Sequence, residues 1–192
     1  MGSRDRRRLP PIDYLTPFVS FVLTSPPLKP MRIISFNVNG IRAAHRKGVL
    51  DWLVSDAPDV FCVQETKAHP EQLAKGIVDV GGYRSYWAWS TARKGYSGVG
   101  VYTRHEPRHV QVGLGIERFD REGRTLIVDF GGFVLYNVYF PNGGGGPERL
   151  RYKLDFYDAF LEHVLRMRKQ GKPLVMCGDY NTAHKEIDLA RP

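Results

Sequence analysis

From Met31 onward, apolar positions come in short runs separated by turn residues, and their periods divide the chain into strands and helices. RIISFN (32–37), dense in branched and aromatic residues, predicts a strand. In GVLDWLVSDA (48–57), Val49, Leu50, Leu53 and Val54 repeat at helical spacing, and Pro58 stops the short helix they predict. DVFCVQE (59–65) reads as a buried strand, and PEQLAKGIVD (70–79) as a second short helix with Pro70 in its first turn. A strand-rich middle follows: YRSYWAW, GVGVYT, RHVQVGLG, RTLIVDF and FVLYNVYF, several of them parted by turns such as GYSG and DREGR. Glu148 to Gln170 carries the strongest helix pattern, with Leu150, Leu154, Tyr157, Leu161 and Val164 on one apolar face. Gly171 and Pro173 end it, and PLVMCGD is another buried strand. Strands outnumber helices and the helices fall between them, which predicts two packed sheets with helices outside.

Residues 1–30 break this order. Pro10, Pro11, Pro17, Pro26, Pro27 and Pro30 forbid a long helix or a central strand there. Arg4, Arg6, Arg7, Arg8 and Lys29 face only Asp5 and Asp13. A basic stretch followed by an apolar one has the outline of an export signal. However, Asp13 and Pro17 interrupt the apolar part and no small-x-small cleavage site follows. A disordered leader, or an over-extended translation start, is the expectation for 1–30, with the domain running over 31–192.

Composition narrows the class. The chain has 192 residues, is 42% hydrophobic and carries a formal charge of +8, the balance of a soluble globular protein with anionic partners, nucleic acid first. No apolar run reaches the roughly 18–20 residues of a membrane span, so no membrane partner is expected. Cys62 and Cys177 make neither a disulfide framework nor a zinc signature, which points to a reducing, cytoplasmic compartment.

Four of the apolar strands end in oxygen-bearing side chains: Asn37, Glu65, Tyr139 with Asn142, and Asp179 with Asn181. Each alone has a bland reading, as a cap, a turn or a core tyrosine. A charge at the rim of a core nevertheless calls for a partner. Carboxylate and amide oxygens without thiolate or clustered imidazole suit Mg²⁺ or Mn²⁺ rather than zinc, and such an ion suits phosphoryl chemistry.

RIISFNVNGIR, PDVFCVQETK, GYSGVGVYT, YNVYFPNG and LVMCGDYNTAHKEIDLARP together resemble the exonuclease III type of DNA-repair nuclease, which includes the apurinic/apyrimidinic endonucleases of the endonuclease/exonuclease/phosphatase superfamily. The likeness runs from Met31 to the last residue. It implies a four-layered α/β sandwich of two mainly antiparallel sheets flanked by helices (DNase I-like). The implied activity is Mg²⁺-dependent cleavage of duplex DNA, at abasic sites or from 3′ ends, by a monomer. Residue by residue, it implies Glu65 as the metal-binding acid and Asn37 as its support. Asp179 is the acid that activates or positions water, with Asn181 as its companion. Tyr139 lies at the scissile phosphate, with either Tyr139 or Asp179 as activator of the water. The implied metal set is Asn37, Glu65, Asp179 and Asn181. Asn142 and Tyr96 match DNA-side residues. Asn39 stands where some relatives carry Asp, and His184 reads as structural.

Arg42, Lys47, Lys67, Arg149 and Lys153 near these motifs suit phosphate contacts, against the alternative of solvated surface charge. The family domain continues past the point where this sequence stops, with another active-site Asp and an Asp-His pair. The sequence therefore reads as the N-terminal part of that domain, with weak or no activity alone. Two other readings stand beside it: a phosphatase of the superfamily acting on a lipid or small phosphoester, and a non-catalytic DNA-binding fragment.

Overall fold

The computed structural model describes residues 30–188 in full and the backbone alone of residues 19–23. One sheet contains β1 (Val19–Leu23), β2 (Met31–Asn37), β3 (Val60–Gln64), β4 (Arg84–Ala88) and β5 (Val99–Thr103), in the spatial order β1-β2-β3-β5-β4. The other contains β6 (His109–Val112), β7 (Thr125–Asp129), β8 (Val134–Tyr139) and β9 (Leu174–Asp179), in that order. The pairs β2/β3 and β8/β9 are parallel and all other pairs antiparallel. Within the segment expected to be a leader, β1 forms an edge strand on β2; apart from it and Pro30, that segment lies outside the described residues.

Successive side chains of a strand point to opposite faces, and here both faces are covered, so β3 is buried at every position. In β3, Val60 and Cys62 point into the layer between the sheets, where they meet Leu126, Val128 and Leu135. Phe61 and Val63 point the other way, against Ile41, Leu50 and Leu53 of α1 (Ile41–Arg46) and α2 (Val49–Asp56). On the far side, Ile127, Tyr136 and Val138 pack against Phe119 of α4 (Glu117–Asp120) and Phe156, Phe160 and Val164 of α5 (Pro147–Arg168). The result is the four-layered α/β sandwich expected from the sequence.

Three elements depart from the sequence pattern. α1 is too short for its two buried residues, Ile41 and Ala44, to show a period. The helix expected over 70–79 splits into a 3₁₀ turn at Pro70–Gln72 and a one-turn α3 (Lys75–Val78), with Leu73 and Ala74 extended between them. α5 forms where expected, but its leucine stripe is not its buried face: Leu150, Leu154 and Leu161 are 48, 54 and 56% exposed. Phe156, Phe160 and His163 face the sheet instead, with Val164 the buried member of the expected face. Aromatic contacts of Phe160 with Tyr136 and of Phe156 with Phe140 set that rotation, since rings bury more area than leucines and gain from edge-to-face contact.

The two parallel pairs decide where chemistry is placed. Parallel neighbours need a crossover, supplied by α1 and α2 between β2 and β3 and by α5 between β8 and β9. Each pair therefore ends at the same rim: Asn37 beside Gln64, and Tyr139 beside Asp179.

Candidate active site

Asn37 ends β2 and its side-chain amide donates to both acids, to Glu65 Oε1 at 2.9 Å and to Asp179 Oδ2 at 2.7 Å. One side chain is thus bonded to acids 28 and 142 positions further along the chain. The amide oxygen of Asn37 accepts from the Asn39 backbone N–H at 2.9 Å, which fixes the orientation of the bridge. Asp179 Oδ1 accepts from Asn181 N–H at 2.8 Å, and Asn181 Nδ2 donates to the Phe140 carbonyl at 2.8 Å. The Tyr139 hydroxyl lies close enough to Glu65 and Asn181 to interact electrostatically with both. Of the predicted catalytic and metal residues, all five therefore meet at one rim.

The backbone is strained there. Asn39, Glu65, Lys67 and Asn181 are four of the six described non-glycine residues with positive φ, a conformation that costs of order 1–3 kcal/mol at each such residue and persists only where surroundings impose it. Gly178, immediately before Asp179, has φ +141° and lies so close to β8 that a Cβ would stand 1.8 Å from the Val138 carbonyl oxygen. Any other residue would push β9 away and carry Asp179 out of reach of Asn37.

Electrostatics separate the two acids from the phenol. Burial opposes the charge of Glu65, but hydrogen bonds from Lys67 and Asn37 and the nearby Tyr139 hydroxyl hold its pKa below the ordinary carboxylate value. Burial, reinforced by Glu65, pushes the Tyr139 hydroxyl above its ordinary pKa, with Arg124 and Asn181 only partly offsetting. Tyr139 is thus a neutral hydrogen-bond donor across the physiological range.

The predicted DNA-side residues divide. Lys67 Nζ lies 2.8 Å from Glu65 Oε2 and also bonds Asn39 Oδ1. Lys153 donates to the Asn181 carbonyl at 2.6 Å, and Arg42 reaches the Lys67 carbonyl at 3.4 Å. Arg149 donates to the Asn142 carbonyl at 3.2 Å and to the Tyr96 hydroxyl at 2.7 Å. Lys47 stands apart at the C-terminal cap of α1, with no side-chain hydrogen bond to this cluster among the described residues.

The sequence reading missed four residues that hold the site from below. Gln64 donates across the sheets to Asn137 Oδ1 at 2.7 Å, and Asn137 donates to the Gly100 carbonyl at 2.8 Å. They precede Glu65 by one residue and Tyr139 by two. Arg124, 2% exposed, is clamped by Glu122. For Asn137 the signal was present, since a polar residue inside FVLYNVYF needs a buried partner; for Arg124, at the turn before TLIV, there was none.

Among the described residues, no three His, Cys, Asp or Glu side chains gather around a point that could hold a metal ion. The donor set nonetheless fits one hard cation retaining water ligands, because Mg²⁺ is commonly held by one or two carboxylates. Glu65 and Asp179 are the two carboxylates that could hold it. Asn37 serves them as a bridge, with its oxygen turned to Asn39.

The profile of the Endonuclease/Exonuclease/phosphatase family matches residues 34–192. The chain belongs to this family. An exodeoxyribonuclease of Bacillus subtilis (strain 168) is 40% identical over 163 residues, which cover 84% of this chain and 63% of that relative. Among solved structures, an AP endonuclease from Archaeoglobus fulgidus superposes with a TM-score of 0.72 at 30% identity, covering 82% of this chain and 60% of that one. A 3′ phosphatase from Neisseria, solved bound to a product DNA hairpin, gives 0.70 at 26% identity, covering 81% and 60%. The chain thus spans less than two thirds of each of these relatives, and the matched part is the portion of the Endonuclease/Exonuclease/phosphatase domain that contains the rim described above.

Proposed function

We propose that this chain carries the reaction face of a DNA-repair nuclease that hydrolyses phosphodiesters in duplex DNA, at abasic sites and from 3′ ends. The observation that carries the reading is the Asn37 bridge between Glu65 and Asp179, with Tyr139 beside them. Relatives described as exodeoxyribonuclease and AP endonuclease support the substrate class.

In this reading Asp179 accepts the proton of the attacking water, while its hydrogen bonds from Asn37 and Asn181 fix the carboxylate's direction. Tyr139, neutral, donates to a phosphate oxygen. Glu65 and Asp179 would hold Mg²⁺, which would neutralise phosphate charge and ease departure of the 3′ oxygen. Lys153, Lys67, Arg42, Arg149, Tyr96 and Asn142 line the DNA side, and Lys47 lies further out. Such contacts give affinity without sequence preference that falls steeply with salt. The Neisseria relative's description as a 3′ phosphatase favours a second reaction at the same rim, removal of a phosphate from a DNA 3′ end.

The test is direct. The purified chain is incubated with Mg²⁺ and three substrates: an abasic-site duplex, a 3′-phosphate duplex and a phosphoinositide. Incision that Asp179→Ala abolishes, with a metal titration shifted in Glu65→Ala, supports the proposal. Salt-dependent duplex binding without incision replaces it with a DNA-binding role, and phosphoinositide hydrolysis alone replaces the substrate.

A further inference from the structure

Arg124 immediately precedes β7 and is 2% exposed, so it cannot reach a bound strand of DNA. Its guanidinium is used entirely inside the protein. Nε donates to Glu122 Oε2 at 2.5 Å, Nη1 to the Tyr139 carbonyl at 3.0 Å and Nη2 to the Tyr96 hydroxyl at 2.7 Å. Its Cζ also stands 4.8 Å from the Tyr139 ring centroid and 5.4 Å from that of Tyr96. One rigid fork thus touches the active-site tyrosine twice, at its carbonyl and its ring face, and the loop tyrosine twice, at its hydroxyl and its ring.

Tyr96 shows what the fork holds in place. Its oxygen accepts from Arg124 and from Arg149, both at 2.7 Å. Both lone pairs of the hydroxyl are then engaged, and its proton is left to donate outward. Arg149 shares Glu122 with Arg124, at 3.3 Å, which closes the ring of contacts. The turn before β7 is equally fixed, because Gly123 lies against the Trp89 backbone, where a Cβ would stand 2.2 Å from the carbonyl carbon.

We propose that Arg124 is a positioning residue: it couples the Tyr96 loop to Tyr139, so that two hydroxyls facing the same phosphate backbone keep a fixed separation. This rests on the nuclease reading for what the hydroxyls contact. The geometry needs the planar fork and not the charge alone, and lysine cannot supply that fork.

The experiment places 3-fluorotyrosine at position 139 of the full chain and records its ¹⁹F line in wild type, Arg124→Lys and Tyr96→Phe, with circular dichroism as the folding control. Single-turnover and steady-state kinetics on an abasic-site duplex run in parallel. Wild type gives one sharp line. In Arg124→Lys the line broadens or splits, and kcat falls roughly 10- to 100-fold, while KM changes by about twofold or less. Tyr96→Phe keeps the buried ion pair, so it folds, and it shifts the same line by a smaller amount. If Arg124→Lys does not fold, Tyr96→Phe decides. A sharp, unshifted line in either folded variant overturns the coupling, as does an unchanged kcat in Arg124→Lys. A wild type that cleaves no DNA counts against catalysis by this chain alone, and the fluorine line still decides the role of Arg124.

Discussion

Tyr139 sits between two polar clusters built from the same materials in opposite proportion. On one side, two acids, Glu65 and Asp179, meet one cation, Lys67. On the other, two cations, Arg124 and Arg149, share one acid, Glu122. Each has a neutral bridge: Asn37 donates to both carboxylates, and Tyr96 accepts from both guanidiniums. The difference lies in one residue: Arg124 keeps 2% of its side chain exposed, against 18% for Glu65, although Glu122 and Arg149 around it keep 15 and 25%. An excess charge at an open rim attracts a ligand, whereas one buried in a closed ring of hydrogen bonds fixes geometry. In the proposed nuclease the acidic cluster is the reacting half and the arginine cluster the holding half.

That contrast can be broken in a definite order. Asp179→Ala should lower cleavage by about 10²–10⁴-fold, the usual reach of a general base, and change unfolding free energy by less than about 1 kcal/mol. Arg124→Met should weigh most on stability, destabilising by roughly 3–5 kcal/mol in urea unfolding, because it leaves Glu122 buried with half its partners, on top of the fall in kcat expected once the fork is lost. If Asp179→Ala proves the more destabilising of the two, the division of labour is wrong.

Asn37→Leu should cost about 1–3 kcal/mol, the penalty for stranding buried acceptors, and its pH dependence sharpens the picture. Glu65 is held below its ordinary value of 4.5. A carboxylate depressed by folding stabilises fully above its unfolded pKa and loses that contribution as pH falls through the folded one. The gap between wild type and Asn37→Leu should be complete above about pH 4.5 and shrink below it; a gap constant through the acid limb would remove Glu65 from the account. Tyr96→Phe, the smallest effect, should cost about 1 kcal/mol by leaving two donors short of one acceptor, measurable as a small shift in the urea midpoint.

Much of the reacting half was legible in the chain, because its residues sit where apolar runs stop: Asn37 closes RIISFN and Asp179 follows VMCG. The holding half was not. Arg124 in GRTLIV looks like any surface arginine until the fold buries it, and Glu122 and Tyr96 become its partners only through packing. The same limit misled the reading of α5. Leu150, Leu154 and Leu161 repeat at perfect helical spacing, but periodicity reports that a helix has an apolar stripe and not which stripe meets a sheet.

The sequence by itself determined the alternation of short strands with amphipathic helices, the oxygen-bearing strand ends and the basic excess, since each is a local property of side-chain period or composition. Only the tertiary structure decided that Glu65 and Asp179 share one amide, that α5 turns its rings inward, and that a buried arginine joins two tyrosines. Those facts depend on two parallel strand pairs ending at a common rim, a relation between segments more than a hundred residues apart that no local pattern encodes.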